Sequence, residues 1–232
     1  MDVSVILPTY NEAENLPILI PQIVEALNPL SLQIEVIVVD DRSPDNTAVV
    51  ARELAKRYPV RVIERLYERG LASAVIRGFQ ASRAKVCVVM DADGSHPISR
   101  LPDMILPILE NRADISVGSR NIPEGGSFQW PWYRKLISKT AALMTLGLTK
   151  MTDPTSGFMG VKRELLSQAY LNPIGWKIVL EVVVKCKNAR LIEIPIMFHD
   201  RQFGKSKMSF KQQVLYVMHL LRLYAYKVFF TA

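Results

Sequence analysis

The chain has 232 residues, 49% of them hydrophobic and 22% charged, which excludes a disordered or collagen-like polypeptide and allows one sizeable core. Two cysteines, Cys87 and Cys186, exclude a disulfide-stapled scaffold and favour a reduced, cytosolic compartment. A net charge of +7 fits polyanionic partners (nucleic acid, a phosphorylated substrate or an anionic membrane) without choosing among them.

Residues 3–7 predict a strand almost at the N-terminus, so no signal peptide is expected, and no apolar run is long enough to span a bilayer. Asn11 and Glu14, three apart, read as a capping box opening a helix whose apolar side is Leu16, Leu19, Ile20, Ile23, Val24 and Leu27. Residues 34–39 predict a second strand. Ser43-Pro44-Asp45 then opens a second helix with Pro44 at its first position, and Val49, Val50, Leu54 and Ala55 form its apolar side. A strand over 60–64, a helix over 70–82, a strand over 86–90, a helix over 101–110 bent near Pro107 and a strand over 115–118 follow. This alternation predicts an α/β fold with a Rossmann-like, mostly parallel sheet and helices on both faces.

Beyond Gly118 the alternation fades. Residues 121–133, with Pro123, Gly125, Gly126 and Pro131, read as a long mobile loop, of the kind that is either functional or disordered. A helix over 134–148, a strand over 158–161, a helix over 174–187, a strand over 191–198 and a last helix after Ser209 complete the chain.

Asp91-Ala92-Asp93 ends the wholly apolar run Val86-Cys87-Val88-Val89-Met90, which reads as a buried strand. Ligands of α/β sheets bind at the carboxyl ends of strands. Two carboxylates there suit Mg²⁺ or Mn²⁺, a cation that keeps positions open for substrate phosphates. Taken alone, the pair would more simply be turn caps. Glu12 and Asp40-Asp41 fall at two other predicted strand ends, so three acidic groups converge on one crevice. No Gly-x-Gly-x-x-Gly and no Gly-Lys-Ser/Thr loop follows any strand, so a phosphate would be neutralised by a metal rather than cradled by glycines. That combination points to a nucleotide-sugar transferase rather than a dehydrogenase or ATPase. His96, His199 and His219 are scattered and read as structural or exposed.

The segments Leu7-Pro8-Thr9-Tyr10-Asn11-Glu12, Val38-Val39-Asp40-Asp41 with Ser43-Pro44-Asp45, and Met90-Asp91-Ala92-Asp93 resemble family 2 glycosyltransferases of the GT-A fold. Gly118-Ser119-Arg120, the stretch from Arg134 to Ser138, Asp153-Pro154-Thr155-Ser156-Gly157-Phe158 and Gly175-Trp176-Lys177-Ile178 narrow the resemblance to the dolichol-phosphate mannose synthase family. It covers nearly the whole chain, with the motifs in order. It implies a GT-A catalytic domain over 1–208 and inverting, metal-dependent transfer of mannose from GDP-mannose to a dolichyl or other polyprenyl phosphate. Pro8, Tyr10, Glu12, Val39 and Asp41 would hold the donor's base and ribose, and Ala92 would line the site. Asp91 and Asp93 would bind Mg²⁺ or Mn²⁺, with Ser95 as a third metal candidate where some relatives carry Gln. Arg120, Arg134 and Ser138 would grip the acceptor phosphate, and Lys177, Arg201 and Lys207 would meet the donor phosphates. Arg42, and Glu68-Arg69-Gly70-Leu71 in place of a Gly-Lys loop, depart from the pattern. Implied partners are the sugar nucleotide, the polyprenyl phosphate, a membrane surface and either an anchoring subunit or further membrane spans, but no nucleic acid. The implied location is the cytosolic face of the endoplasmic reticulum or plasma membrane. A UDP-sugar-dependent glucosyl- or N-acetylhexosaminyltransferase remains an alternative, as does a non-catalytic lipid-binding scaffold.

The chemistry stands without the family. A phosphate monoester acceptor has a second pKa of about 6 and needs no general base, but it does need guanidinium groups to position it. Trp130 and Trp132 flank Pro131 and suit an isoprenoid chain or membrane interface. Over 209–232, Gln212, Tyr216, His219, Arg222 and Tyr226 share one helix face, and Val214, Val217, Met218, Leu221, Ala225 and Val228 another. Core packing explains this pattern, and so does an in-plane membrane helix held by Arg222, Lys227, Tyr224, Tyr226, Phe229 and Phe230.

Overall fold

The computed structural model describes residues 1–128, 130, 132–199 and 210–230. A seven-stranded sheet forms its centre, in the order β3-β2-β1-β4-β7-β5-β8. Its strands are β1 (Val3–Thr9), β2 (Ile34–Asp40), β3 (Val60–Glu64), β4 (Val86–Val89), β5 (Ile115–Ser119), β7 (Met159–Lys162) and β8 (Leu191–Pro195). All pair in parallel except β7, which runs antiparallel between β4 and β5. Two short strands, β6 (Gly126–Ser127) and β9 (Met197–Phe198), pair with each other inside the stretches expected as one loop and one continuous strand.

The apolar runs are continuous because both sheet faces are buried. Val3, Val5, Leu7, Val36, Val38, Val86, Val88 and Met90 face α1 (Leu16–Leu27) and α4 (Leu101–Leu109). The alternate residues Ile6, Ile37, Val39, Cys87 and Val89 face α3 (Leu71–Ala81), α7 (Ile178–Lys185) and α8 (Phe210–Phe230). Val39 therefore spends its side chain on the core.

Two expected helix starts are corrected. α1 begins at Leu16, and Asn11 is left-handed with φ 61°. α2 (Thr47–Leu54) begins three residues after Pro44. The cause is a cross-link between the two loops. Asn11 N–H donates to Ser43 Oγ (3.0 Å), Glu12 N–H to Thr47 Oγ1 (2.9 Å) and Ala13 N–H to Asp45 Oδ2 (3.0 Å). The 43–47 loop thus satisfies backbone donors that a helix would have left unpaired, and Glu12 accepts from Asn15 Nδ2 rather than closing a capping box.

α5 (Trp132–Leu143) and α7 are shorter than expected. Upstream of α7, Gly175 is left-handed (φ 76°), Asn172 N–H donates to Glu181 Oε1 (2.6 Å) and Ile174 N–H donates to His219 Nδ1 (2.9 Å). Those bonds hold residues 172–177 as a loop beside the sheet end. α6 (Arg163–Gln168) follows β7 directly.

α8 turns most of its polar and aromatic face inward, while Arg222 of that face stays exposed. Leu220 and Leu223 are buried, Tyr216 Oη donates to Ala141 O (2.9 Å), and Tyr224 Oη donates to Leu146 O (2.6 Å). Lys227 donates to Gly147 O, and Tyr226 lies beneath Lys185. Tyr224, Tyr226 and Lys227, expected as surface anchors, are thus engaged with the protein. The exposed side carries Val214, Val217, Met218, Leu221, Val228 and Phe229 instead. Among the described residues, no helix is long and apolar enough to cross a membrane.

Candidate active site

A cavity of about 850 Å³ opens at the carboxyl ends of β1, β2 and β4, where a sheet of this topology places ligands. Pro8, Tyr10, Glu12, Asp41, Asp91, Ala92, Asp93, Arg120, Arg134, Ser138 and Lys177 all line it. The fold thus brings together eleven expected site residues drawn from six separate stretches of chain. Val39 and Ser95 are not among the lining residues, and Arg201 and Lys207 lie outside the described residues.

Asp91 and Asp93 leave β4 on a tight turn. Asp93 Oδ1 accepts the Ser95 N–H (3.1 Å), and the Asp91 N–H donates to His96 Nδ1 (3.0 Å). With Nδ1 accepting, the neutral imidazole carries its proton on Nε2, which lies 3.8 Å from Asp91 Oδ2. Burial lowers the His96 pKa below its ordinary value, outweighing the opposing pull of Asp91, so the ring is neutral. It stacks on Phe158 at 5.1 Å and meets Phe198 edge-on. Gly157 lies beside the Asp91 carboxylate, where an added Cβ would make an ordinary contact 3.5 Å from Oδ2. His96 is therefore a site residue that sequence reasoning missed; its only local signal was its position five residues after Asp91.

Among the described residues no three His, Cys, Asp or Glu side chains cluster as a metal cage. Two carboxylates lining an open cleft fit a hard divalent cation that takes its remaining ligands from substrate phosphates and water. Ser95, expected as a third ligand, is buried and is not among the lining residues, and its hydroxyl has no hydrogen-bond partner among the described residues.

Arg120, at the end of β5, is held by a fork. Its Nε donates to Asp153 Oδ2 and its Nη2 to Asp153 Oδ1, both at 2.7 Å, and its backbone N–H donates to Oδ2. Nη2 also reaches Thr155 Oγ1 at 2.6 Å. Burial opposes ionisation of Asp153, but the Arg120 hydrogen bonds and charge outweigh it and hold the carboxyl below its usual range. Glu193 of β8 fixes the same turn by accepting from Thr152 Oγ1 (2.7 Å) and the Asp153 N–H. Trp130 meets two guanidiniums, with Arg120 Cζ 5.0 Å and Arg134 Cζ 4.3 Å from its ring. Its indole N–H is buried without a partner among the described residues. Trp130 thus belongs to the cleft, whereas Trp132 is exposed.

Lys177 Nζ donates to Thr155 O at 2.8 Å. Burial, aided by the nearby Arg120 charge, lowers its pKa to about 8. Arg120, Arg134 and Lys177 thus line one cleft, and the Lys177 charge is disfavoured there until an anion enters.

At the other end, Arg65 Nε donates to Asp41 Oδ1 (2.7 Å) and the Gly70 N–H to Asp41 Oδ2 (2.7 Å). Asp40 faces away from the cleft and organises the turn, accepting from Thr9 Oγ1 (3.0 Å) and from the Ser43 N–H and hydroxyl. α5, the turn after it and α8 add Ile137, Met144, Gln212 and Val217 to the wall.

The model of Glycosyl transferase family 2 matches residues 4–169. The chain is 46% identical to the dolichol-phosphate mannosyltransferase of Pyrococcus furiosus over 96% of its own length, and spans 64% of that relative. It is 35% identical to the dolichol-phosphate mannosyltransferase of Saccharomyces cerevisiae, over 98% of this chain and 88% of the yeast protein. The polyprenol monophosphomannose synthase of Mycolicibacterium smegmatis is 37% identical over 88% of the chain and 80% of its own. Among solved structures, glucosyl-3-phosphoglycerate synthase of Mycobacterium tuberculosis with phosphoglyceric acid superposes with a TM-score of 0.68 at 18% identity, over 96% of this chain and 79% of that one. A complex of that enzyme with Mn²⁺, UDP and glucosyl-3-phosphoglycerate gives 0.64, over 96% and 78%.

Proposed function

We propose, because the chain belongs to glycosyl transferase family 2 and to the dolichol-phosphate mannosyltransferases within it, that it transfers mannose from GDP-mannose to a polyprenyl phosphate with inversion at the anomeric carbon. The observation that carries this reading is a single cleft lined by two strand-end carboxylates, Asp91 and Asp93, and by three cations, Arg120, Arg134 and Lys177.

The acceptor phosphate is the nucleophile. One of its oxygens bonds to C1 of mannose as the bond from C1 to the diphosphate breaks, and GDP leaves. A phosphate dianion carries no proton on the attacking oxygen, so the cleft needs no general base. Its protein groups supply placement and charge instead. Arg120 is oriented by Asp153 and braced by Trp130, so its remaining donors meet the acceptor phosphate in a fixed plane, with Arg134 and Ser138 beside it. Lys177, freed from repulsion once an anion arrives, neutralises phosphate charge. Asp91 and Asp93 would hold Mg²⁺ or Mn²⁺, which when bound would stabilise the departing diphosphate. Pro8, Tyr10, Glu12, Asp41 and Ala92 would hold the nucleoside. Val39 would contribute only through the position of its strand.

The acceptor's tail must remain in lipid while its phosphate enters the cleft. Ile137, Met144 and Val217 line the cavity and are also exposed, and Leu136, Leu143, Leu146, Met218, Leu221, Val228 and Phe229 extend an apolar surface over α5 and α8. That continuity supports docking of this face on a membrane.

The test is a panel. Purified protein, Mg²⁺ and a short polyprenyl phosphate are incubated with GDP-mannose, UDP-glucose or UDP-N-acetylglucosamine, and the organic phase is analysed by mass spectrometry. Mannosyl phosphoprenol from GDP-mannose alone is expected. Product only from a UDP-sugar would overturn the donor assignment, and no lipid-linked product from any donor would overturn the reading itself.

A further inference from the structure

Arg65 lies outside the cleft lining, yet its Nε and Nη2 are directed at two residues that line it, Asp41 and Gly70. Its side chain is 4% exposed and that of Asp41 8%. Nε and Nη2 both bond Asp41 Oδ1, Nη2 also bonds Gly70 O (2.9 Å), and Nη1 bonds Ser73 Oγ (2.8 Å) and Glu68 Oε2 (3.3 Å). The Gly70 N–H closes the ring on Asp41 Oδ2. Gly70, with φ 128°, accepts a conformation that other residues rarely take, and it immediately precedes α3. One guanidinium thus joins the ends of β2 and β3 to the start of α3, and Asp41 is left no rotational freedom.

Asp41 nevertheless lines the cleft, as does Arg69, whose guanidinium sits 5.9 Å from the Tyr10 ring. An ionised carboxylate only accepts hydrogen bonds and a guanidinium only donates them. A fixed acceptor, with a donor beside an aromatic face, complements a base with adjacent N–H groups on one part of its edge and a carbonyl with a ring nitrogen on the next. Guanine has that edge: N1–H and the 2-amino group would meet Asp41, and O6 and N7 would meet Arg69. Adenine presents an acceptor at N1 to a carboxylate that cannot donate, and uracil has a single N–H.

We infer that Arg65 is a positioning residue for nucleobase selection: by locking the Asp41 carboxylate in one plane, it makes the cleft discriminate a 6-oxopurine diphosphate from a pyrimidine one. This rests on the donor reading above, with Asp41 at the base end of the cleft. Without Arg65, the Asp41 carboxylate loses its charge partner and its fixed plane, and with them its preference for a two-donor edge.

The test is calorimetric titration of GDP, IDP and UDP with Mg²⁺ into the wild type, Arg65→Met, Asp41→Asn and the double variant, with a thermal melt of each. The wild type should bind GDP at least about tenfold more tightly than UDP, with IDP, which lacks the 2-amino group, between them. Arg65→Met should lose most of that ratio while the KM for polyprenyl phosphate stays unchanged. Asp41→Asn and the double variant should share one reduced ratio, because Arg65 acts only through Asp41. That comparison holds even if Arg65→Met folds poorly, since the double variant leaves no unpaired buried carboxylate. A folded Arg65→Met protein with the wild-type ratio would overturn the inference alone, as would further loss of discrimination in the double variant. A wild-type ratio near one would overturn the guanine-donor reading and this inference together.

Discussion

Asp153→Asn separates the role of the Arg120 fork from that of the metal side of the cleft. The Asp153 side chain is fully buried and that of Arg120 is 9% exposed, so water cannot replace what the substitution removes. Asparagine keeps the volume, so no cavity forms. The charge is lost, however, and an amide N–H₂ must face either the Arg120 Nε or its Nη2. Removing one partner of a buried pair costs about 3–5 kcal/mol. Thr155 Oγ1 remains as a second acceptor for Nη2, which places the expected loss near the lower end, about 3 kcal/mol. Urea unfolding at pH 7 reads it directly. The pH dependence gives a second readout. The Asp153 carboxyl is held below its ordinary range, so its contribution is complete above the unfolded value of about 3.9 and disappears as pH falls below it toward the folded value. Wild-type stability should therefore fall more steeply than that of the variant as pH drops below about 4. The KM for the acceptor phosphate should rise while GDP affinity changes little. A loss below about 1 kcal/mol with the same acid limb in both proteins would refute the reasoning.

Lys177, with its pKa lowered to about 8, should make stability rise with pH between about 8 and 10.5, because the unfolded chain binds the extra proton there. Binding of a phosphate dianion should take up protons near pH 8, seen as a buffer-dependent binding enthalpy that Lys177→Met abolishes; identical enthalpies in two buffers would contradict this. Asp93→Asn should remove the strengthening of GDP binding by Mg²⁺ and abolish transfer with the fold intact, and full activity of that variant in EDTA would sink the metal assignment. Leu221→Asp with Val228→Asp, both on the exposed face of α8, should weaken binding to anionic vesicles while transfer to a short, water-soluble acceptor continues. Unchanged vesicle binding would move the membrane face elsewhere.

The sheet was legible because β1, β2 and β4 are buried on both faces and so read as largely apolar runs, with acids at or just after the ends of β2 and β4. Helix starts were less legible. The Asn11–Glu14 pattern is a valid local cap, but the 43–47 loop outcompetes it through bonds between residues more than thirty positions apart. The same distance hides the site's supports: Arg65 reaches back 24 residues to Asp41 and Asp153 reaches back 33 to Arg120, and neither pairing has a periodic signature. Asp153-Pro154-Thr155 reads locally as a turn, which it also is. In α8 the two faces could be drawn from the sequence but not which one faces the protein, because tyrosine hydroxyls and His219 find backbone partners that only the folded α5 turn and the 172–177 loop provide. His96 was unreadable for a related reason: its role depends on accepting the Asp91 N–H in a stack with Phe158, 62 residues further on.

The central claim is that a phosphate dianion, positioned by cations and needing no base, attacks GDP-mannose. The most direct measurement compares a short polyprenyl phosphate with the matching polyprenol as acceptors for radiolabelled GDP-mannose, following label into the organic phase. Label should appear only with the phosphate, with a rate that rises through its second pKa near 6. Transfer to the alcohol at a comparable rate would contradict the account, since it would require a base that the cleft was not built to supply.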